Sequence, residues 1–107
     1  MSYYLLYSYS SLKPESEKHH RAKTKVKKKT LNPEFNEEFE FCVTLGDLPK
    51  KILDLSVWDR DVGKQDDFIG KVQLGVNAKT DRQKHWLDCI RSPDTTFQRW
   101  HKLQGES

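Results

Sequence analysis

Apolar and polar residues alternate with a period of two along much of the chain. From Ile52 to Trp58, Leu53, Leu55 and Val57 alternate with Asp54, Ser56 and Trp58, the spacing of a strand with one inward face. Glu37 to Val43 repeats it, with Phe39, Phe41 and Val43 inward and Glu38 and Glu40 outward. Phe68 to Leu74 and Phe97 to Leu103 read as further strands. Ala22 to Thr30, as a strand, sets Lys23, Lys25, Lys27 and Lys29 on one face and Val26 on the other. Residues 1–11 are mostly Tyr, Ser and Leu; they are compatible with a strand but do not say which face is buried. The period changes once. Trp86, Cys89 and Ile90 fall at i, i+3 and i+4 behind Thr80-x-x-Gln83, a capping-box spacing that predicts a short helix to about Ile90. Ser92-Pro93-Asp94 stops it. Pro14, Asn32-Pro33 and Gly46 punctuate the loops and turns. Runs of strands with one late helix predict a mostly β, antiparallel sandwich.

Between Trp58 and Phe68 the chain carries four carboxylates, Asp59, Asp61, Asp66 and Asp67, with Gly63 at a turn. Such a loop between two strands suits a hard cation, which takes oxygen ligands in irregular geometry. An EF-hand needs Gly at position six and Glu at twelve; counted from Asp59 those positions hold Lys64 and Gly70, so that motif fails. Asp59-Arg60-Asp61-Val62 also fits the short nucleophile pattern of an aspartyl phosphatase, but 107 residues leave no room for the α/β sheet and further motifs of that class. A solvated acidic loop without an ion is the plain alternative.

Charge adds a second feature. The net charge is +3, but residues 13–29 hold eight Lys/Arg against two Glu, a net of +6, and residues 30–67 hold four against ten, a net of −6. A basic segment beside an acidic one fits binding of both an anionic surface and a cation. Four ammonium groups about 7 Å apart on one strand face would attract acidic lipid at about 1 kcal/mol per Lys; the plain reading is an edge strand guarded by its lysines. No aromatic residues interleave the patch for base stacking, which argues against nucleic acid. Cys42 and Cys89 form no Cys-x-x-Cys pair and read as reduced, buried thiols of a cytosolic protein. The opening Met-Ser-Tyr-Tyr-Leu-Leu-Tyr is neither signal peptide nor membrane span, so membrane contact is expected to be peripheral. His19-His20 has no third ligand nearby and reads as a loop pair. Trp86 and Trp100 read as core anchors.

Several stretches together carry a resemblance: Lys28-Lys29-Thr30-Leu31-Asn32-Pro33-Glu34-Phe35-Asn36-Glu37-Glu38-Phe39, then Ser56-Val57-Trp58-Asp59-x-Asp61 with Asp67-Phe68-Ile69-Gly70, then Lys84-His85-Trp86 and Trp100-His101-x-Leu103. In order and spacing they resemble the second C2 domain of the rabphilin, double-C2 and synaptotagmin-like proteins, over about residues 12–103. The resemblance implies an eight-stranded antiparallel sandwich and calcium held between two loops, with Asp59, Asp61 and Asp67 supplied by the second loop. It implies phosphatidylinositol bisphosphate on the lysine strand (Lys23, Lys25, Lys27 and Lys29), attachment of vesicles to target membrane, contact with the fusion machinery, and no catalysis.

The departure lies ahead of Leu12. The family pattern places two strands and the other calcium loop there, with two more Asp ligands, whereas the first Asp here is Asp47. The expectation is therefore a divergent segment 1–11, a partial C2 domain over 12–103 and a tail over 104–107. Three carboxylates of the usual five imply millimolar or absent calcium binding, since affinity follows ligand charge count. A sandwich short of two strands implies a thin core and weak autonomous folding. Two function classes follow: a lipid-binding module of exocytosis, peripheral on vesicle or plasma membrane, or a calcium-independent adaptor that binds a protein through the lysine strand and Trp100-His101.

Overall fold

The computed structural model describes residues 4–15 and 20–105; His19 lies outside them. It contains one antiparallel sheet built from β1 (Leu5–Lys13), β2 (Arg21–Lys23), β3 (Lys27–Lys28), β4 (Ile52–Asp59) and β5 (Asp67–Leu74). The path is β2-β1-β4-β5, with β3 also on β1. A single α-helix among the described residues, α1 (Thr80–Arg91), packs on β5. The fold is thus mostly β and antiparallel, with one short helix.

The residues 5–11 that carry no facial pattern supply the centre of the sheet. β1 pairs with β4 over eight positions, Leu6↔Asp59 to Lys13↔Ile52. Leu6, Tyr7, Ser10, Ser11 and Leu12 are all buried, so both faces of β1 are covered and no alternation is written into it.

The core lies on one face. Leu12, Leu53 and Leu74 are register partners in a row across β1, β4 and β5. Leu12, Val72, Leu74 and Trp86 form the buried cluster, and Phe41, Val43, Leu48, Leu53, Val76 and Ile90 pack around it half-buried. Trp86 is the anchor it was read to be, although its indole N–H finds no acceptor among the described residues.

Two expected strands form no ladder among the described residues. Residues 37–43 keep the alternation in exposure, with Phe39, Phe41 and Val43 half-buried and Glu38 and Glu40 exposed. Residues 97–103 reach the sheet only at their end, where Lys71 and Gln104 exchange backbone hydrogen bonds of 2.9 and 2.8 Å. Gly70 permits that approach: a Cβ there would stand 3.0 Å from Leu103 Cβ. Facial pattern alone cannot make a strand without a neighbour to bond. The core face of the sheet is itself incompletely covered beyond the buried cluster. Leu55 and Val57 are only half-buried, whereas Asp54 and Ser56 on the other face are buried.

Helix α1 ends within a residue of expectation, but its capping box does not form. Thr80 sits at φ 46° and the cap residue is Lys79, with no side-chain bond. Gln83 donates instead to the Val76 carbonyl at 2.9 Å, so it cannot fold back on the first turn. Cys42 is exposed rather than buried, and Cys89 is half-buried. Burial, with Asp88 beside it, pushes the Cys89 thiol up. His20, just ahead of β2, is 2% exposed and its ring lies 2.7 Å from the Cys42 carbonyl.

Candidate functional site

The acidic loop leaves β4 at Asp59 and re-enters the sheet at Asp67, its register partner. The chain leaving β4 is tied down by β1. The Leu5 amide donates to Asp59 Oδ1 at 3.0 Å, and the Arg60 amide donates to the Leu5 carbonyl at 2.9 Å. Gly63 at φ 95° makes the turn. The fourth acid holds the loop shut. Asp66 accepts the Tyr7 hydroxyl on Oδ2 and the Asp61 amide on Oδ1 at 3.1 Å. Burial and this bond push the Tyr7 phenol up to about 12, and the same bond holds the Asp66 carboxyl below its usual range. Asp66 looked no different from its neighbour in the sequence, and its partner Tyr7 lies in the stretch without a pattern.

The sheet brings Asp59, Asp61 and Asp67 to one end. Among the described residues, however, no three His, Cys, Asp or Glu side chains converge as a metal-holding group. Asp59 has one oxygen engaged by Leu5. The arrangement does not fit calcium.

The lysine segment is not one regular strand, and the four-lysine face is corrected here. Tyr9 pairs with Lys23 and Ser8 bonds Thr24, whose amide donates to Ser8 O at 2.9 Å; Leu6 then pairs with Lys27. Lys25 and Val26 thus stand opposite the single residue Tyr7, a β-bulge. A one-residue slip reverses faces. Lys23 shares the face of Tyr9, Lys27 shares the opposite face with Leu6 and Asp59, and Lys28, paired with Leu5, returns to the face of Tyr7. Lys29 leaves the strand at φ 59°. Lys23, Lys25, Lys27 and Lys28 make no ion pair with a described carboxylate.

Sequence reasoning missed the aromatic face. Tyr7 and Tyr9 face Trp58 and Ser56 across β1 and β4. The Trp58 ring meets Phe68 edge-on at 5.3 Å, and its N–H donates to Ser56 Oγ at 2.8 Å. The Lys23 ammonium lies 5.3 Å from the centre of the Tyr7 ring. Two depressions flank Trp58: one of about 310 Å³ lined by Tyr7, Tyr9, Gln65 and Asp66, and one of about 270 Å³ that reaches Lys13 and Lys71.

The C-terminal candidates separate. His101 stacks on His85, ring centres 5.1 Å apart, with nitrogens at 2.8 Å. Trp100 is 99% exposed and anchors no core.

Known proteins resolve what this architecture is. The family model described as C2 domain matches residues 4–89. The chain belongs to the C2-domain family. Within this C2 domain the match begins ahead of Leu5, so all but the tip of the N-terminal stretch falls inside the matched region. Rabphilin-1 of Caenorhabditis elegans is 50% identical over 97 residues, 91% of this chain but 9% of that protein. The chain therefore spans under a tenth of that relative's length. Among solved structures, a C2 domain of RIM from Drosophila superposes at TM-score 0.61 with 23% identity, covering 68% of this chain and 59% of that one. The third C2 domain of the KIAA1228 protein superposes at 0.60 with 31% identity, covering 77% and 58%.

Proposed function

We propose that this C2 domain is a peripheral membrane-binding module, not an enzyme. Its ligand is anionic phospholipid, phosphatidylinositol bisphosphate included, taken on the aromatic face beside Lys23 with little or no dependence on calcium. The observation that carries the reading is Lys23, which lies over the Tyr7 ring beside Tyr9 and Trp58 and makes no contact ion pair with a described carboxylate. Lys23, Lys25, Lys27 and Lys28 give up no contact ion pair with a described carboxylate on meeting a phosphate, although Lys23 acts on Asp66 through space. Each adds about 1 kcal/mol near an anionic surface. Tyr9 and Trp58, both half-buried, present flat ring surface against which an inositol ring packs.

Calcium is left out because Asp66 and Asp59 are engaged by the protein's own donors, and no three acids among the described residues converge. The likeness to rabphilin-type C2 domains supports a place in vesicle trafficking and exocytosis, at the cytoplasmic side of vesicle or plasma membrane. No described helix is long and apolar enough to cross a bilayer.

Titration of the labelled domain with inositol trisphosphate tests the face. Amide shifts are expected at Tyr7, Lys23 and Trp58, and Lys23→Glu should abolish them. Shifts confined to the far face would refute the site. A second reading has its own support. Trp100, 99% exposed, and Leu103, 43% exposed, present apolar surface beside His101, which favours an additional role as an adaptor for membrane-fusion proteins.

A further inference from the structure

The basic stretch holds two threonines that look alike in the sequence and that the fold treats differently. Among the described residues, Thr24 and Thr30 are the Ser or Thr side chains with a cation three positions ahead, Arg21 and Lys27 respectively. Thr30 also has Lys28 two positions ahead and an apolar residue, Leu31, directly after it. That pattern suits a protein kinase whose peptide cleft carries carboxylates, because kinases choose their substrates by charge pattern.

Thr24 is withheld from such an enzyme. It is 8% exposed. Its Oγ1 accepts the Ser8 amide at 2.9 Å, and its own amide donates to Ser8 O at 2.9 Å, beside the β1–β2 ladder. Reaching it would mean parting the sheet. Thr30 lies past the end of β3, beyond the turn at Lys29, and no described strand or helix runs from there to Asp47. Thr30 is half-buried, and Leu31 and Asn32 beside it are exposed. Its Oγ1 accepts the Asn32 amide at 3.1 Å, a local turn that a bound enzyme can open without touching the sheet. As the acceptor in that bond, the hydroxyl keeps its own proton to give up. Strand β3 pairs only with β1 among the described residues, so its outer edge is open where Lys27 and Lys28 sit. Neither lysine makes an ion pair with a described carboxylate.

We propose that Thr30 is a phosphorylation site for a basophilic protein kinase, and that its phosphate turns down the lysine row beside it. Thr30 Oγ1 attacks the γ-phosphorus of a nucleoside triphosphate. The bond to the β–γ bridging oxygen breaks, the nucleoside diphosphate leaves, and the hydroxyl proton passes to the kinase's base. The product adds a charge of about −1.5 to −2 at neutral pH. It gives Lys27 and Lys28 a covalently held counter-charge in place of an anionic surface, and it repels that surface directly. The effect, though not the site, rests on the membrane-binding reading above.

The test treats the intact chain and Thr30→Ala with magnesium ATP and the catalytic fragment of protein kinase C, and places the phosphate by peptide mass mapping. A synthetic peptide of residues 21–34 serves as the unfolded reference. Phosphate is expected on Thr30 and not on Thr24, and Thr30→Ala should take up none. Phosphate on Thr30 of the peptide but not of the folded chain would overturn the site. So would phosphate elsewhere in place of Thr30, or none at all. The phosphorylated chain, its fold verified by the amide spectrum, is then partitioned onto vesicles of phosphatidylcholine, phosphatidylserine and phosphatidylinositol bisphosphate, in chelator. Its partitioning is expected to fall about tenfold, while Thr30→Ala binds as the untreated chain does, with or without the kinase. Unchanged partitioning of the fully phosphorylated chain would overturn the switch. If the untreated chain binds no anionic vesicle, the membrane reading fails and the switch falls with it, while the mapping still decides the site.

Discussion

At the scale of single residues, the Tyr7–Asp66 bond does most to shape the acidic loop. Folding favours the phenol in its neutral form, whose titration is pushed up to about 12, and favours the carboxylate, held below its usual range. The Asp66 contribution is therefore present above the ordinary carboxylate pKa of about 4 and is lost as pH falls. The Tyr7 contribution is complete below about 10 and is lost as pH rises to about 12. Across neutral pH the clasp is closed. Tyr7→Phe should raise the Asp66 carboxyl toward its ordinary value, read from side-chain carbon shifts against pH; an unmoved titration would contradict the clasp. Trp86 gives a second residue-scale expectation. Trp86→Ala should cost about 3–5 kcal/mol in denaturant unfolding. Trp86→Phe should cost clearly less, because it also removes a buried N–H without a described acceptor.

At the scale of elements, pattern was legible where an element buries one side. Strands β4 and β5 and the helical spacing of Trp86, Cys89 and Ile90 appear as read, but in β4 the buried residues are Asp54 and Ser56, while Leu53, Leu55 and Val57, read as inward, are half-buried. β1 escaped because it is covered on both faces, and residues 37–43 and 97–103 escaped because pairing depends on a neighbour, not on their own sequence. The bulge at Lys25-Val26 has no Gly or Pro to announce it, yet it reverses the face of Lys27. Lys23→Glu should therefore weaken binding to phosphatidylinositol bisphosphate vesicles at least threefold more than Lys27→Glu; equal losses would restore the regular four-lysine strand. The docking of residues 97–104 on α1 also has a pH dependence. His85 is held below its ordinary pKa by burial, then by His101 and Arg99, with the Phe97 backbone and Asp88 acting the other way. A depressed histidine stabilises fully above about 6.5 and loses that contribution as pH falls. Amide exchange at Gln104, referenced to free-peptide rates, should speed up at acidic pH and lose that response in His101→Phe.

At the scale of the whole molecule, the described core is small. Its buried cluster is Leu12, Val72, Leu74 and Trp86, and Leu55 and Val57 on the same sheet face stay half-open. A fully packed domain of about 100 residues unfolds with about 60–80 kcal/mol at its midpoint. Calorimetry on this chain should give a broader transition with a clearly lower enthalpy. A sharp transition in that range would mean the sheet is better covered than its exposure indicates.

The central claim is a membrane contact that does not need the ion the acidic loop was read to hold. Sedimentation with vesicles of phosphatidylserine and phosphatidylinositol bisphosphate, in calcium and in chelator, tests it most directly. The prediction is equal binding in both, lost when Lys23 and Lys25 become Glu. Binding that requires calcium and disappears in Asp61→Asn would contradict it, and would mean that Asp59, Asp61 and Asp67 rearrange around an ion that their present geometry does not fit.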